Sequence, residues 1–124
     1  MKDIKEKEIA VVGVSSNREK YGYQIFSDLL NAGFRVQGVN PRLPDLLGRK
    51  IYPSLRDLPV KPDMVITVVP PDVTGSVTDQ AIELGIKELW MQPGSESEAA
   101  VRKAREHGIT VTYNACFMVA NSVW

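Results

Sequence analysis

The chain has 124 residues, close to the usual size of one domain, and its 44% apolar and 24% charged residues are typical of a folded globular protein rather than a disordered one. Its 15 basic and 15 acidic residues leave no net charge, so the positive field expected of a nucleic-acid or anionic-membrane binder is missing. The single cysteine excludes an intrachain disulfide and a zinc site built from several cysteines.

The charged amino terminus precedes an apolar run that is too short for a signal peptide or a membrane-spanning helix. We therefore expect a single cytoplasmic domain over residues 1–124. Its partner is expected to be a small molecule or an unidentified protein, and neither nucleic acid nor a membrane.

Strand-like and helix-like stretches alternate along the chain, and Gly33, Gly85 and Gly108 each stand where a helix-like stretch gives way to a strand. Strands are predicted at 9–14, 34–39, 63–69, 86–91 and 109–113, and the apolar runs in the first and third are typical of central parallel strands. Helical spacing predicts covering helices around three apolar groups: Ile25, Phe26, Leu29 and Leu30; Val73, Val77, Ala81 and Leu84; and Ala100, Val101 and Ala104.

The proline-rich segment 40–62 interrupts this alternation. It is predicted to be a long loop with a short edge strand at 50–52 and a helical turn near 54–58. The complete pattern predicts an α/β fold of three layers, a Rossmann-like, doubly wound and mostly parallel sheet of about five strands between helices. Ligands of such sheets bind at the carboxyl ends of the strands, so the loops after the strands are expected to carry the function.

The loop after the first strand, residues 13–22, stands at the phosphate-binding position of this fold. A glycine permits a tight turn, hydroxyl and amide side chains add donors, and the following helix start favours an anion. We expect unpaired backbone amides here, directed into a groove that accepts a diphosphate, although a polar loop that merely caps a helix has the same local sequence. The candidate residues are Gly13, Ser15, Ser16, Asn17, Arg18 and Lys20.

The loop after the second strand argues against NAD. The glycine-rich dinucleotide pattern would need glycine where Ser15 stands and an acidic residue at the end of the second strand. That strand is instead followed by Asn40, Pro41 and Arg42, an amide and a cation that suit a phosphorylated ribose. NADP and coenzyme A (CoA) both remain open.

The later loops offer less specific signals. Val69, Pro70 and Pro71 present a rigid apolar wall against which adenine can lie, although proline is also a common first residue of a helix. Gln92 is placed to reach a pantetheine amide or a diphosphate. Cys116 follows the last strand and can face the same crevice, although a lone cysteine is usually a small buried apolar residue.

Two further predictions concern helix ends and the core. Ser95 and Glu98 have the spacing of a capping box for the third helix. Trp90 is predicted to be a core or rim residue rather than a ligand contact.

Five stretches in the same order resemble the small stand-alone CoA-binding domain proteins, which are similar to the amino-terminal domain of the succinyl-CoA synthetase alpha subunit. The resemblance implies that residues 15–18 surround the CoA phosphates and that residues 40–42 lie near the phosphorylated ribose. It also implies that residues 69–71 border the adenine, and that Met91, Gln92 and Pro93 lie along the pantetheine. The matching stretches are Gly13-Val14-Ser15 with Lys20-Tyr21-Gly22, Gly38-Val39-Asn40-Pro41, Val69-Pro70-Pro71, Trp90-Met91-Gln92-Pro93-Gly94 and Asn114-Ala115-Cys116-Phe117-Met118.

The ligases among these relatives carry a phosphorylated histidine in a second domain, which we do not expect within these residues, and His107 is predicted at a helix end instead. The expected function is therefore non-catalytic binding of CoA or an acyl-CoA, without a metal. The alternatives are an NADP-dependent oxidoreductase or a nucleotide-sensing regulatory module that uses the same crevice. Two further alternatives involve Cys116. In one it is the nucleophile of an acyl transferase, and in the other it forms a mixed disulfide with the CoA thiol.

Overall fold

A computed structural model describes residues 3–124. Its strands are β1 (Glu8–Val12), β2 (Arg35–Val39), β3 (Asp45–Leu46), β4 (Arg49–Tyr52), β5 (Met64–Thr67), β6 (Glu88–Met91) and β7 (Thr110–Thr112). Its α-helices are α1 (Tyr21–Asn31), α2 (Pro71–Leu84), α3 (Glu98–Glu106) and α4 (Phe117–Ala120), and 3-10 turns form at Ile4–Glu6 and Leu55–Asp57. None of the helices in this described part is both long and apolar enough to cross a membrane.

The strands form one sheet in the order β3-β4-β2-β1-β5-β6-β7. Every neighbouring pair is parallel except β3 with β4, which confirms the predicted Rossmann-like, mostly parallel α/β fold. The five predicted strands are all present, and the predicted edge strand and helical turn correspond to β4 and to Leu55–Asp57. Within residues 3–124 the sheet has seven strands rather than about five, because segment 45–52 folds into a short hairpin.

The sheet buries one apolar cluster on each face, because successive strand residues point in opposite directions. On β1, Ile9 and Val11 pack with α1 and α4, whereas Ala10 and Val12 pack with α2 and α3. All four β1 residues are at most 6% exposed, as the apolar run predicted for a strand covered on both faces. The helix α4, which the sequence analysis did not predict, completes the first of these two faces.

The glycine junctions are confirmed, since Gly33, Gly85 and Gly108 have φ values of 84°, 70° and 78°. The capping box predicted for Ser95 and Glu98 is wrong. Ser97 is the N-cap of α3, and its hydroxyl accepts a hydrogen bond from the Ala100 amide at 3.3 Å. Ser95 is instead 2% exposed, and its hydroxyl is turned inward, toward the sheet, within hydrogen-bond distance of one carbonyl of the loop and one of β5.

The turn of the β3–β4 hairpin holds a leucine in an unfavourable backbone conformation. Leu47 has φ 52° and is followed by Gly48 with φ 75°, the positive values of a two-residue turn in which asparagine is preferred at the first position. Leucine in this left-handed conformation costs about 1–2 kcal/mol, and the side chain is 46% exposed, so little apolar burial offsets that cost. We expect Leu47→Asn to raise the free energy of unfolding in urea by about 1 kcal/mol; an unchanged or lower value would contradict this account.

Candidate functional site

The crevice of the sheet lies between the loops that follow β1 and β5. The chain leaves β1 through α1 to reach β2 on one side, and β5 lies on the other side of β1. Loops that diverge from neighbouring parallel strands in this way open a crevice at the carboxyl end of the sheet, where ligands bind in doubly wound folds. Three adjoining cavities lie along this edge, with volumes of about 400, 420 and 210 Å³.

The cavities are connected through residues that line more than one of them. The central cavity, of about 400 Å³, lies over the loop after β1 and the start of α1. It shares Gly13 and Asn40 with the α2 cavity, of about 420 Å³, and shares Tyr21 and Val68 with the α4 cavity, of about 210 Å³. The three adjoining cavities, called the cleft below, extend over the edge of the sheet from the face covered by α2 to the face covered by α1 and α4.

Two glycines allow the central turn to pack closely. Gly13 has φ 107°, and a Cβ atom there would lie 2.2 Å from the Val68 carbonyl oxygen of the neighbouring loop. At Gly22, in the first turn of α1, a Cβ atom would lie 2.0 Å from the Gly13 carbonyl oxygen. The turn after β1 thus lies directly against the start of α1, which only a residue without a side chain permits at both positions.

About half of the amides in this turn are paired within the chain. The Gly13 amide donates to Val39, the Asn17 amide to the Ser15 hydroxyl, and the amides of Glu19 and Lys20 to Asn17. The amides of residues 14, 15, 16 and 18, and those of residues 21 and 22 at the start of α1, have no acceptor within residues 3–124. The expectation of unpaired amides therefore holds for part of the turn, and the first turn of α1 adds two more.

Asn40 joins the loops after β1 and β2. Its side-chain amide donates to the Val14 carbonyl at 2.8 Å, and its side-chain oxygen accepts from the Arg42 amide at 2.8 Å. Its own backbone amide donates to Tyr52 at 2.9 Å. Asn40 thereby lies between the central and the α2 cavity, held by three bonds, and lines both.

The α2 cavity has apolar walls and a polar rim. Of the predicted residues it brings together Gly13, Asn40, Pro41, Arg42 and Val69. The sequence analysis missed the contribution of α2, where Ser76 and Gln80 line the cavity one helical turn apart. Their spacing of four residues, beside the apolar stripe of α2, is the sequence feature that could have indicated that both lie on one helix face.

The α4 cavity is mostly apolar, and the cysteine is one of its lining residues. Predicted residues Gln92 and Pro93 line it together with Cys116. Gln92 is 5% exposed; its amide donates to the Cys116 sulfur at 3.4 Å, and its oxygen accepts from the Phe117 amide at 2.6 Å. Gln92 thus fixes the position of Cys116 and of the start of α4. The remaining walls include Trp124, which no pattern in the sequence indicated.

Several predicted residues lie outside the three cavities. Met91 is fully buried on the α2 and α3 face of the sheet, because the side chain of a strand residue points away from that of its neighbour. Pro70 and Pro71 are exposed at the start of α2. Ser16, Asn17 and Arg18 form the exposed tip of the first loop, and the Arg18 guanidinium lies 6.0 Å from the Tyr23 ring centroid.

Trp90 is half-buried, as predicted for a core or rim residue. Its ring packs on that of Phe117, with ring centroids 5.2 Å apart.

The family model of the CoA binding domain matches residues 7–122 of this chain. The chain belongs to that family. It is similar to the uncharacterized protein YneT of Bacillus subtilis, with 29% identity over 96% of this chain and 88% of that protein. It is also 32% identical to an ADP-forming acetate–CoA ligase of Archaeoglobus fulgidus over 85% of this chain but only 17% of the ligase.

A solved structure of a similar protein has the same fold. A conserved hypothetical protein from Pyrococcus furiosus superposes with a TM-score of 0.88 at 44% identity, covering 92% of this chain and 98% of that one. The family resemblance and the fold predicted from the sequence are both confirmed.

Proposed function

We propose that this protein binds CoA or an acyl-CoA in the cleft at the carboxyl edge of the sheet, without catalysing a reaction on it. The observation that carries the proposal is that the three cavities adjoin one another and share lining residues. An apolar slot, a turn with free amides and a second apolar slot follow one another in the order of adenosine, diphosphate and pantetheine. Membership in the CoA-binding domain family supports this assignment.

The central cavity suits the diphosphate. Free backbone amides at the end of a strand and the start of a helix attract anions, and Lys20 adds a positive charge to the wall. Arg42, which lines the neighbouring α2 cavity, would then pair with the phosphate on the ribose. The acyl or thiol end of the ligand would then enter the α4 cavity beside Cys116.

The walls of the α4 cavity favour CoA over NADP. Ile25, Val68, Pro93 and Val119 contribute apolar surface there, which suits the dimethyl and methylene groups of pantetheine better than a charged nicotinamide and its ribose.

The absence of catalysis is supported by the position of the histidine. His107 ends α3, and its ring nitrogen lies 2.8 Å from the Lys103 carbonyl. The end of α3 leads into the start of β7, so this histidine lies at the opposite edge of the sheet from Cys116 and provides no base for that thiol. The mixed disulfide between Cys116 and the CoA thiol stays a prediction.

Calorimetric titration and thermal unfolding with CoA, dephospho-CoA, NADP and NAD test the proposal. We expect CoA to bind most tightly, and at about one hundred times its Kd to raise the free energy of unfolding by about 2.7 kcal/mol. Equal or tighter binding of NADP, or no binding of CoA at millimolar concentration, would contradict the proposal.

Arg42→Ala tests where the phosphorylated ribose lies. Losing a charged partner of a phosphate costs about 1.5–3 kcal/mol, so CoA affinity should fall at least about tenfold while dephospho-CoA affinity stays unchanged. Arg49→Ala removes an exposed arginine outside the three cavities and serves as the control for net charge. Equal losses for the two ligands would place the phosphate elsewhere.

A further inference from the structure

We infer that Gln80 and Ser76 of α2 read the edge of the adenine ring through hydrogen bonds, so that base recognition does not rest on apolar stacking alone. The inference rests on the proposed function and assigns two specificity-determining residues to it. Both residues line the α2 cavity, and neither lines the central cavity. They therefore lie away from the boundary with the phosphate end of the cleft.

The orientation of the Gln80 side chain is fixed by a backbone amide. The amide of Leu55 lies 3.2 Å from the Gln80 side-chain oxygen. Because a backbone N–H can only donate, the oxygen of Gln80 must face it, and the side-chain NH₂ must point elsewhere. That NH₂ group makes no hydrogen bond within residues 3–124, so Gln80, which lines the cavity, keeps a donor available to a ligand.

Ser76 adds a hydroxyl group on the same side of the helix. It stands four residues before Gln80 in α2, a spacing that places two side chains on one helix face. Its hydroxyl makes no hydrogen bond within the described part of the chain, where the neighbouring helix hydroxyls of Thr74 and Thr78 both bond to backbone carbonyls. A hydroxyl can accept a hydrogen bond from an amino group, whereas the Gln80 NH₂ can only donate.

This pair complements one edge of adenine. With the phosphorylated ribose at Arg42 and the diphosphate beyond Asn40, the edge opposite the glycosidic bond faces α2. That edge of adenine presents an acceptor nitrogen, N1, beside a donor, the 6-amino group. The Gln80 NH₂ would donate to N1, and the Ser76 hydroxyl would accept from the 6-amino group, while apolar residues such as Val73 and Val77 cover the ring faces.

The substitution Gln80→Glu removes the side-chain NH₂ donor and leaves the rest of the side chain nearly unchanged. A carboxylate keeps an oxygen for the Leu55 amide but has no NH₂ to donate, so the loop around Leu55 is retained while the bond to N1 is lost. The matched ligand is 1,N6-etheno-CoA, in which N1 and the 6-amino nitrogen are tied into an extra ring and the phosphates are unchanged. Any repulsion between the new carboxylate and the phosphates affects both ligands equally and cancels in the comparison.

Titration of the original protein and the Gln80→Glu variant with both ligands forms the test. We expect the original protein to prefer CoA over the etheno analogue by about tenfold or more, and the variant to lose most of that preference. Ser76→Ala should reduce the preference to a smaller extent. A preference that survives Gln80→Glu unchanged, or an original protein that binds both ligands equally, would overturn the inference while leaving CoA binding itself intact. If the original protein binds neither ligand, the proposed function fails as well.

Discussion

Replacing Gly22 with alanine is expected to destabilise the protein and to weaken CoA binding by more than tenfold, although alanine is the better helix former. Alanine in a helix interior is normally favoured over glycine by about 1 kcal/mol. Here its Cβ atom would lie 2.0 Å from the Gly13 carbonyl oxygen and 3.3 Å from the Ser15 amide nitrogen. Both are backbone atoms of the central turn, so relief requires the turn itself to move away from α1.

Overpacking of this kind costs about 1–3 kcal/mol or more, so we expect the free energy of unfolding in urea to fall by about 2 kcal/mol. Gly75→Ala is the matched control, because Gly75 lies within α2 and a Cβ atom there meets no atom within 4 Å. It should raise the free energy of unfolding by about 0.5–1 kcal/mol and leave CoA affinity unchanged. If the two variants behave alike, the close approach of the turn to α1 is not what positions the ligand.

The substitution Asn40→Asp is expected to weaken CoA binding by about one hundredfold with little change in side-chain volume. Aspartate keeps the oxygen that accepts from the Arg42 amide but loses the NH₂ that donates to the Val14 carbonyl at 2.8 Å. It leaves a carboxylate oxygen facing a carbonyl oxygen without a proton between them, which costs about 1–3 kcal/mol. It also places a negative charge between the central and the α2 cavity, where the phosphates of the ligand would lie.

The measurement is the Kd for CoA, with Asn31→Asp as the control for added charge. Asn31 is the exposed last residue of α1, at the other edge of the sheet from the cleft. A loss that persists in high salt to the same extent as in low salt would indicate the broken bond, and a loss removed by salt would indicate repulsion. Unchanged affinity for CoA in the Asn40→Asp variant would exclude Asn40 from the boundary between the ribose and the phosphates.

Much of the fold could be predicted from the sequence, because local patterns in parallel α/β folds directly reflect burial. The run Ile9 to Val12 is apolar on both faces since helices cover both, and the glycines at three helix ends have the left-handed conformation that their position suggested. Of the hairpin at 45–52, the edge strand β4 was predicted, whereas β3 was missed because it has only two residues, Asp45 and Leu46. The capping residue of α3 was misassigned because Ser95 and Ser97 both have suitable chemistry, and only the buried position of Ser95 excludes it.

By itself the sequence determined which stretches form strands and helices, the position of the turn after β1 and the residues at the ends of the strands, since each follows from the local pattern of apolar residues and glycines. The tertiary structure decided which of those residues face the cleft. It placed Met91 in the core and turned Gln92 toward Cys116, and it brought Ser76, Gln80 and Trp124 to the cavity walls. Those outcomes depend on how helices distant in the chain pack over the sheet, whereas a local pattern shows only which residues share a face.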